Sequence, residues 1–250
     1  MRPHRLLAVS RMGEWIGCAK DAAAAAGAFR DAARARIAAK VAPGGNVDAA
    51  LVTREQHAVH GFAWIAATTA ALDATADWAV RADAAGNFGR IEELALRIGF
   101  GEYAAQLVSG VPMSAGEIVR PHALGMAREA SALAQDPAIA RFLDHGNSVD
   151  TRAEFAALLA EGARPDEGLG DETLDLVREQ FRAFTADRIA PRAHGWHLAD
   201  ALIPAEVIAE MAELGVFGVC IDERYGGLGL GQLAMSVVSE ELSRGWICAG

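Results

Sequence analysis

The chain has 250 residues, 52% of them apolar but only 6% aromatic, and a formal net charge of −10. That length suffices for one large or two ordinary domains with an interior needing neither disulfides nor metal. Residues 1–150 carry 15 basic and 16 acidic side chains, residues 151–250 carry 8 and 17, and no basic face is on offer for a nucleic-acid backbone.

The opening "MRPHRLLAVSRMGEW" is basic and acid-poor, but it lacks serine richness and an apolar core. It reads as a cytoplasmic start rather than a leader. Alanine richness with few β-branched runs then predicts helix almost throughout. A first helix runs from Asp21 to Ala39, with Arg30, Arg34 and Lys40 on its solvated side, and "APGG" (42–45) closes it. A second begins between Asn46 and Thr53 and runs toward Ala85. Val59, Phe62, Ile65, Ala66, Thr69 and Leu72 recur along it at three- and four-residue steps, the mark of a buried stripe. A third spans Arg90 to Leu107, residues 108–121 read as a loop, and a fourth helix spans His122 to Gln135 and stops at Pro137. Thr151 and Glu154 have the spacing of a capping box before Phe155, Leu158 and Leu159. No apolar stretch is long enough to span a membrane.

"EGARPDEGLG" (161–170) combines Gly, Pro and charge without apolar period and reads as a linker between residues 1–160 and 171–250. Beyond it Leu174, Val177, Phe181, Phe184 and Arg188 mark one helix face up to Pro191. Pro204 suits a first helical turn. Val207, Ile208, Met211 and Leu214 form the next stripe, and Gly215 supplies a left-handed cap. "VFGVCI" (216–221) reads as strand-like or extended, and a last helix includes Leu233, Val237 and Val238.

Between these lies "IDERYGGLGLG" (221–231), with four glycines in its last six residues. A dinucleotide fingerprint starting at Gly227 and Gly229 needs a third glycine where Gln232 stands, and a phosphate loop needs a lysine, of which none follows Lys40. The run reads as a tight turn.

The other chemistry-bearing residues are few. Cys18, Cys220 and Cys248 are odd in number and far apart, which fits a reducing compartment and gives neither disulfide framework nor metal knuckle. Cys220 follows an apolar run and reads as a buried, inert thiol. His57 and His60 are three apart on a predicted helix but lack complementary ligands, and His194 and His197 read as interhelical loop residues. Trp64, Trp78, Trp196 and Phe62 read as core or interface anchors. Glu240 and Glu241 are candidate bases, but neighbours on a helix point about 100° apart, which favours salt-bridged or solvated roles over a paired acid and base.

Several of these motifs, in this order, carry a resemblance. "IPAEVIAEMAELGVFGVCIDERYGGLGLGQLAMSVVSEELSRG" (203–245), preceded by "ADRIAPRAHGWHLAD", resembles the N-terminal helical domain of the acyl-CoA dehydrogenases. The residues before it, with "GEYAAQL" and "VPMSAGEIVRP", resemble the helical extension of methylsuccinyl-CoA dehydrogenases. The resemblance implies an all-α chain made of an N-terminal extension and the family's first helical domain, truncated before the β domain. It implies FAD as cofactor, an acyl-CoA substrate, homo-oligomerisation and an electron-transfer flavoprotein as partner. It assigns most flavin contacts and the proton-abstracting glutamate to sequence beyond Gly250, so that no residue here is catalytic or cofactor-binding. Arg244, Gly245, Trp246, Ile247 and Cys248 then form one wall of the acyl pocket. The alternative is a non-catalytic helical interaction module.

Overall fold

The computed structural model describes residues 3–250, with side chains from Gly13 onward. Of the opening stretch read as a cytoplasmic start, residues 1 and 2 and the side chains through residue 12 lie outside the described residues. Packing divides the chain into two units, residues 1–167 and 168–250. Both are helical. The described residues contain one two-stranded antiparallel hairpin, which pairs Val111 with Val119 and Pro112 with Ile118.

In the first unit α1 (Pro3–Val41) packs along α3 (Gln56–Ala84). The facing surfaces are alanine-rich: Ala19, Ala22, Ala26 and Ala33 on α1, and Ala76, Ala79 and Ala82 on α3, are all buried. Small side chains let the two backbones approach, and Phe29, Ile37, Ile65 and Leu72 fill the remaining volume. The predicted second helix is two pieces, α2 (Ala49–Arg54) and α3, because Glu55 leaves helical geometry between them. The predicted loop after α4 (Arg90–Ser109) contains the hairpin, β1 (Val111–Pro112) and β2 (Ile118–Val119).

Pro121–Leu124 is a 3-10 turn and α5 spans Ala127–Gln135. Pro137 does not end a helix. It opens α6 (Pro137–His145), where its missing N–H is one of the unpaired donors of a first turn, and Asp136 caps that turn. α7 (Val149–Ala160) starts before the predicted box because Ser148 is its cap. Thr151 is instead buried inside it, bonded to Ser148 and Arg97, and Glu154 pairs with Arg90. Phe142 stacks on Phe100 at 4.8 Å and meets Trp15 at 5.2 Å, closing the core on the α4 and α6 side.

The second unit is built on α8 (Glu172–Phe184), α9 (Ala190–Leu198), α10 (Ala205–Glu213) and α11 (Gly231–Gly245). Its core gathers Leu174, Phe181, Ile189, Val207, Met211, Val219, Val238 and Leu242. Pro191 does not stop the chain either. Residues Thr185–Ile189 form a π-turn, in which Ala190 donates to the Thr185 carbonyl, so the helix widens just before a proline that has no N–H to give. His194 and His197 consequently lie on α9, not in a loop. "VFGVCI" is not extended: Val216–Gly218 is a 3-10 turn behind Gly215, which takes the expected left-handed φ of 84°.

Candidate functional site

The end of α11 is fixed by a buried carboxylate. Glu241 is 1% exposed, and Arg182 of α8 grips it with both arms of its guanidinium, Nε donating to Oε2 at 3.0 Å and Nη2 to Oε1 at 2.6 Å. Arg178 Nε stands 3.9 Å and Arg244 Nε 3.7 Å from the same Oε1. Glu240, one position earlier, faces outward and pairs with Arg244 at 3.4 Å. The two glutamates thus have separate environments, and Glu241 ties α8 to α11.

The next residues turn out of the helix. Gly245 lies so close to the π-turn that a Cβ there would stand 2.5 Å from Thr185 Cγ2 and 3.2 Å from Ile189 Cγ2. Thr185 Oγ1 is buried there without a hydrogen-bond partner among the described residues. Trp246 takes an extended backbone conformation, φ −161° and ψ 121°, and its ring lies 5.4 Å from Trp196 of α9. Ile247 is 75% exposed, and Cys248 is exposed too. Anchored at Glu241, Gly245 and Trp246, this stretch presents Ile247 and Cys248 outward. A separate open cleft of about 760 Å³ is lined by Ala183, Phe184, Asp187, Arg188, Glu210 and Leu214, and an Arg188–Glu210 ion pair spans it. None of the residues 244–248 lines it.

The glycine turn is packed from within. Gly226, Gly229 and Gly231 have positive φ, and a Cβ on Gly227 would run into the Ile221 carbonyl. Backbone bonds from Leu228 to Gly218 and from Leu230 to Val219 close the loop on itself. The space beside Gly227 is taken by the Ile221 carbonyl, so the glycine there serves close backbone packing. Apolar side chains are exposed around it: Phe217, Ile221, Tyr225, Leu228 and Leu233. Leu233, Val237 and Val238 lie on α11 as expected; Leu233 is 53% exposed, and Ala234, Val237 and Val238 are buried.

Other expectations change with the geometry. Trp64 is not a core anchor: it is 41% exposed, and its indole donates to His60 Nε2 at 3.0 Å. His57 lies 3.8 Å from Glu117. No group of three or more metal-ligating side chains occurs among the described residues. Cys220 is only partly buried; Cys18 is the buried thiol, and burial pushes its pKa up. No helix among the described residues is long and apolar enough to cross a membrane. Sequence reasoning missed Arg182, whose partner lies 59 residues away, although its place one residue after Phe181 in an amphipathic helix could have marked it as a boundary residue.

Comparison with known proteins adds the following. Residues 171–250 match the family model described as acyl-CoA dehydrogenase, N-terminal domain. Over 242 residues, 96% of the chain, the sequence is 39% identical to a (2S)-methylsuccinyl-CoA dehydrogenase of Cereibacter sphaeroides. It is 38% identical over 74 residues, 29% of the chain, to a glutaryl-CoA dehydrogenase of Desulfococcus multivorans. A mitochondrial short-chain specific acyl-CoA dehydrogenase of Rattus norvegicus is 33% identical over 79 residues, 32% of the chain. The chain spans 43% of the length of the first relative and 19% of each of the others.

Proposed function

Because the chain belongs to the acyl-CoA dehydrogenase family, we propose that it forms the helical part of an FAD-dependent enzyme that desaturates an acyl-CoA thioester between its α and β carbons, with methylsuccinyl-CoA as the substrate. The observation that carries this reading is the likeness to a methylsuccinyl-CoA dehydrogenase along both units, 96% of the chain, and not along the shared domain alone. In this proposal the enzyme is a homo-oligomer and passes electrons to an electron-transfer flavoprotein.

When bound, the flavin accepts the β-hydrogen as hydride. The glycine turn is a poor fit for a flavin pyrophosphate, since the space beside Gly227 is taken by the Ile221 carbonyl and the Leu228 and Leu230 amides are already bonded within the loop. We therefore assign no flavin contact to residues of this chain and route no step through it. What these residues do in the proposal is position. Arg244, Gly245, Trp246, Ile247 and Cys248 form one wall of the acyl pocket, held by the Arg182–Glu241 pair behind it and by Trp196 beside it. In the proposal Glu241 is not the proton-abstracting base, a reading supported by its burial and its ion pair with Arg182, whereas a base must reach the α-hydrogen of a bound substrate.

The test uses the protein encoded by the full reading frame that contains this chain, assayed with methylsuccinyl-CoA, glutaryl-CoA and butyryl-CoA against an artificial electron acceptor. Preference for methylsuccinyl-CoA in kcat/KM is the expected result, and preference for either straight-chain thioester sinks the substrate assignment. The 250 residues alone, supplied with FAD, should give no turnover. Turnover that disappears in Glu241→Gln would put the base in this chain.

A further inference from the structure

Two histidines near the start of α3 stand in surroundings that ask opposite things of a proton. Trp64 donates its indole N–H to His60 Nε2 at 3.0 Å, and the two rings meet nearly edge to face, 6.4 Å between centroids. An indole nitrogen can only donate, so the imidazole nitrogen facing it must carry a lone pair, and the bond exists only while His60 is neutral. His57 is placed the other way. Its Nδ1 lies 3.8 Å from Glu117 Oε1, in the turn between β1 and β2, and that attraction exists only while His57 is protonated. The hairpin is seated on this same stretch of α3, because Gly61 has no Cβ and one there would stand 2.7 Å from Val119 Cβ.

Between Gln56 and Leu72 these histidines are the only titratable side chains on α3. On the elements packed beside them, Arg54 pairs with Glu55, Lys40 of α1 holds Glu55 at 2.7 Å, and Arg34 of α1 is exposed. Glu102 of α4 is bonded to Gln106 and Asn147, and Arg120 donates to the Ser109 carbonyl. Glu117 is the charge that meets a histidine. We propose that this face of α3 is a proton-responsive surface. Between about pH 8 and 5, where histidine changes charge and glutamates stay ionised, a proton on His60 takes the acceptor away from Trp64. The imidazolium must then swing off the N–H, to water or to the face of the ring, and it frees an indole that is already 41% exposed. A proton on His57 does the reverse and fastens the hairpin turn to α3 through Glu117. Mild acid thus loosens a tryptophan and tightens the turn beside it.

The experiment is a pH titration of the intact, isotope-labelled chain followed by NMR. The Trp64 indole signal, identified by its loss in Trp64→Phe, should shift along a one-proton curve between about pH 8 and 5. It should stand still in His60→Gln, whose amide oxygen accepts a hydrogen bond without titrating. The Glu117 backbone amide should shift over the same range and lose that shift in His57→Gln. A flat curve for either signal in the unaltered chain, or a curve that persists in the matching glutamine variant, overturns the proposal. Both histidines are exposed, and helical circular dichroism shows whether each variant folds. Where a glutamine variant does not fold, His60→Asn or His57→Asn takes its place and is read in the same way.

Discussion

Glu241 shows how much one side chain can be asked to hold. A carboxylate 1% exposed is tolerable only with its charge matched and its oxygens bonded, and Arg182 supplies both. Arg182 is 45% exposed, however, and can return to water if its partner is removed. We therefore expect Glu241→Ala to destabilise the second unit by roughly 2–4 kcal/mol, at the lower side of what breaking buried pairs costs, and Arg182→Ala, which removes two hydrogen bonds from the buried carboxylate and leaves it to Arg178 and Arg244, to cost at least as much. Chemical denaturation of the two variants tests the order; an Arg182→Ala protein markedly more stable than Glu241→Ala would contradict it. Gly227 gives a second residue-scale prediction. Its missing Cβ is the space taken by the Ile221 carbonyl, and Gly227→Val should lower stability by more than the ~1 kcal/mol typical of point substitutions. Thermal unfolding unchanged by that substitution would mean that the turn opens easily.

At the level of elements, the ion pairs that join helices make a pH prediction. The hydrogen bonds from the Arg90 guanidinium hold the Glu154 carboxyl below the usual carboxylate range, and they tie the start of α4 to α7. The folded value is lower than the unfolded one, so the pair's contribution is complete above the unfolded carboxyl's pKa of about 4.3 and is lost as the pH falls through the lower folded value. Between pH 6 and 8 this group should leave stability flat. Melting temperatures of Glu154→Gln and the unaltered chain should differ near neutrality and converge in acid; a difference that widens in acid would reverse the assignment.

The same elements show what sequence makes legible. Helices with a regular stripe, such as the one through Ile65, Thr69 and Leu72, are readable because burial repeats every three or four residues. The ends were harder. Pro137 and Pro191 look like stops, but a proline is equally at home in a first turn, and only the position of the preceding cap or the π-turn decides which. Thr151 had the spacing of a cap, but Ser148, three residues earlier, took the role. The hairpin strands are two residues each, too short to show alternation. Of the candidate site, the family motifs marked residues 244–248 as a stretch. The pairing of Arg182 with Glu241 and of Trp196 with Trp246 depends on tertiary packing across 59 and 50 residues, which no local pattern records.

For the whole molecule, each unit has its own apolar core. We expect residues 1–167, expressed alone, to fold cooperatively with helical content retained. A gradual, non-cooperative melt of that piece would mean that its stability depends on the rest of the chain. The two cores differ in kind. The first relies on alanine faces brought close together, and the second on larger side chains with Phe217, Ile221, Tyr225 and Leu233 left at the surface.

The π-turn at Thr185–Ile189 also bears on how related sequences are aligned. A π-turn is a helix that carries one residue more than its α-helical path requires. A relative lacking that residue would run through here as plain α-helix, with Phe181 and Leu174 in register with α11 and the following residues facing as they do now, because the wide turn absorbs the extra residue. Removing Ala186 by design would imitate such a relative. It would leave Trp196 facing Trp246 but set the Pro191 ring against an α-helical carbonyl, so a gap placed here by an alignment keeps the face of α9 that meets the end of α11 and moves the strain to the proline.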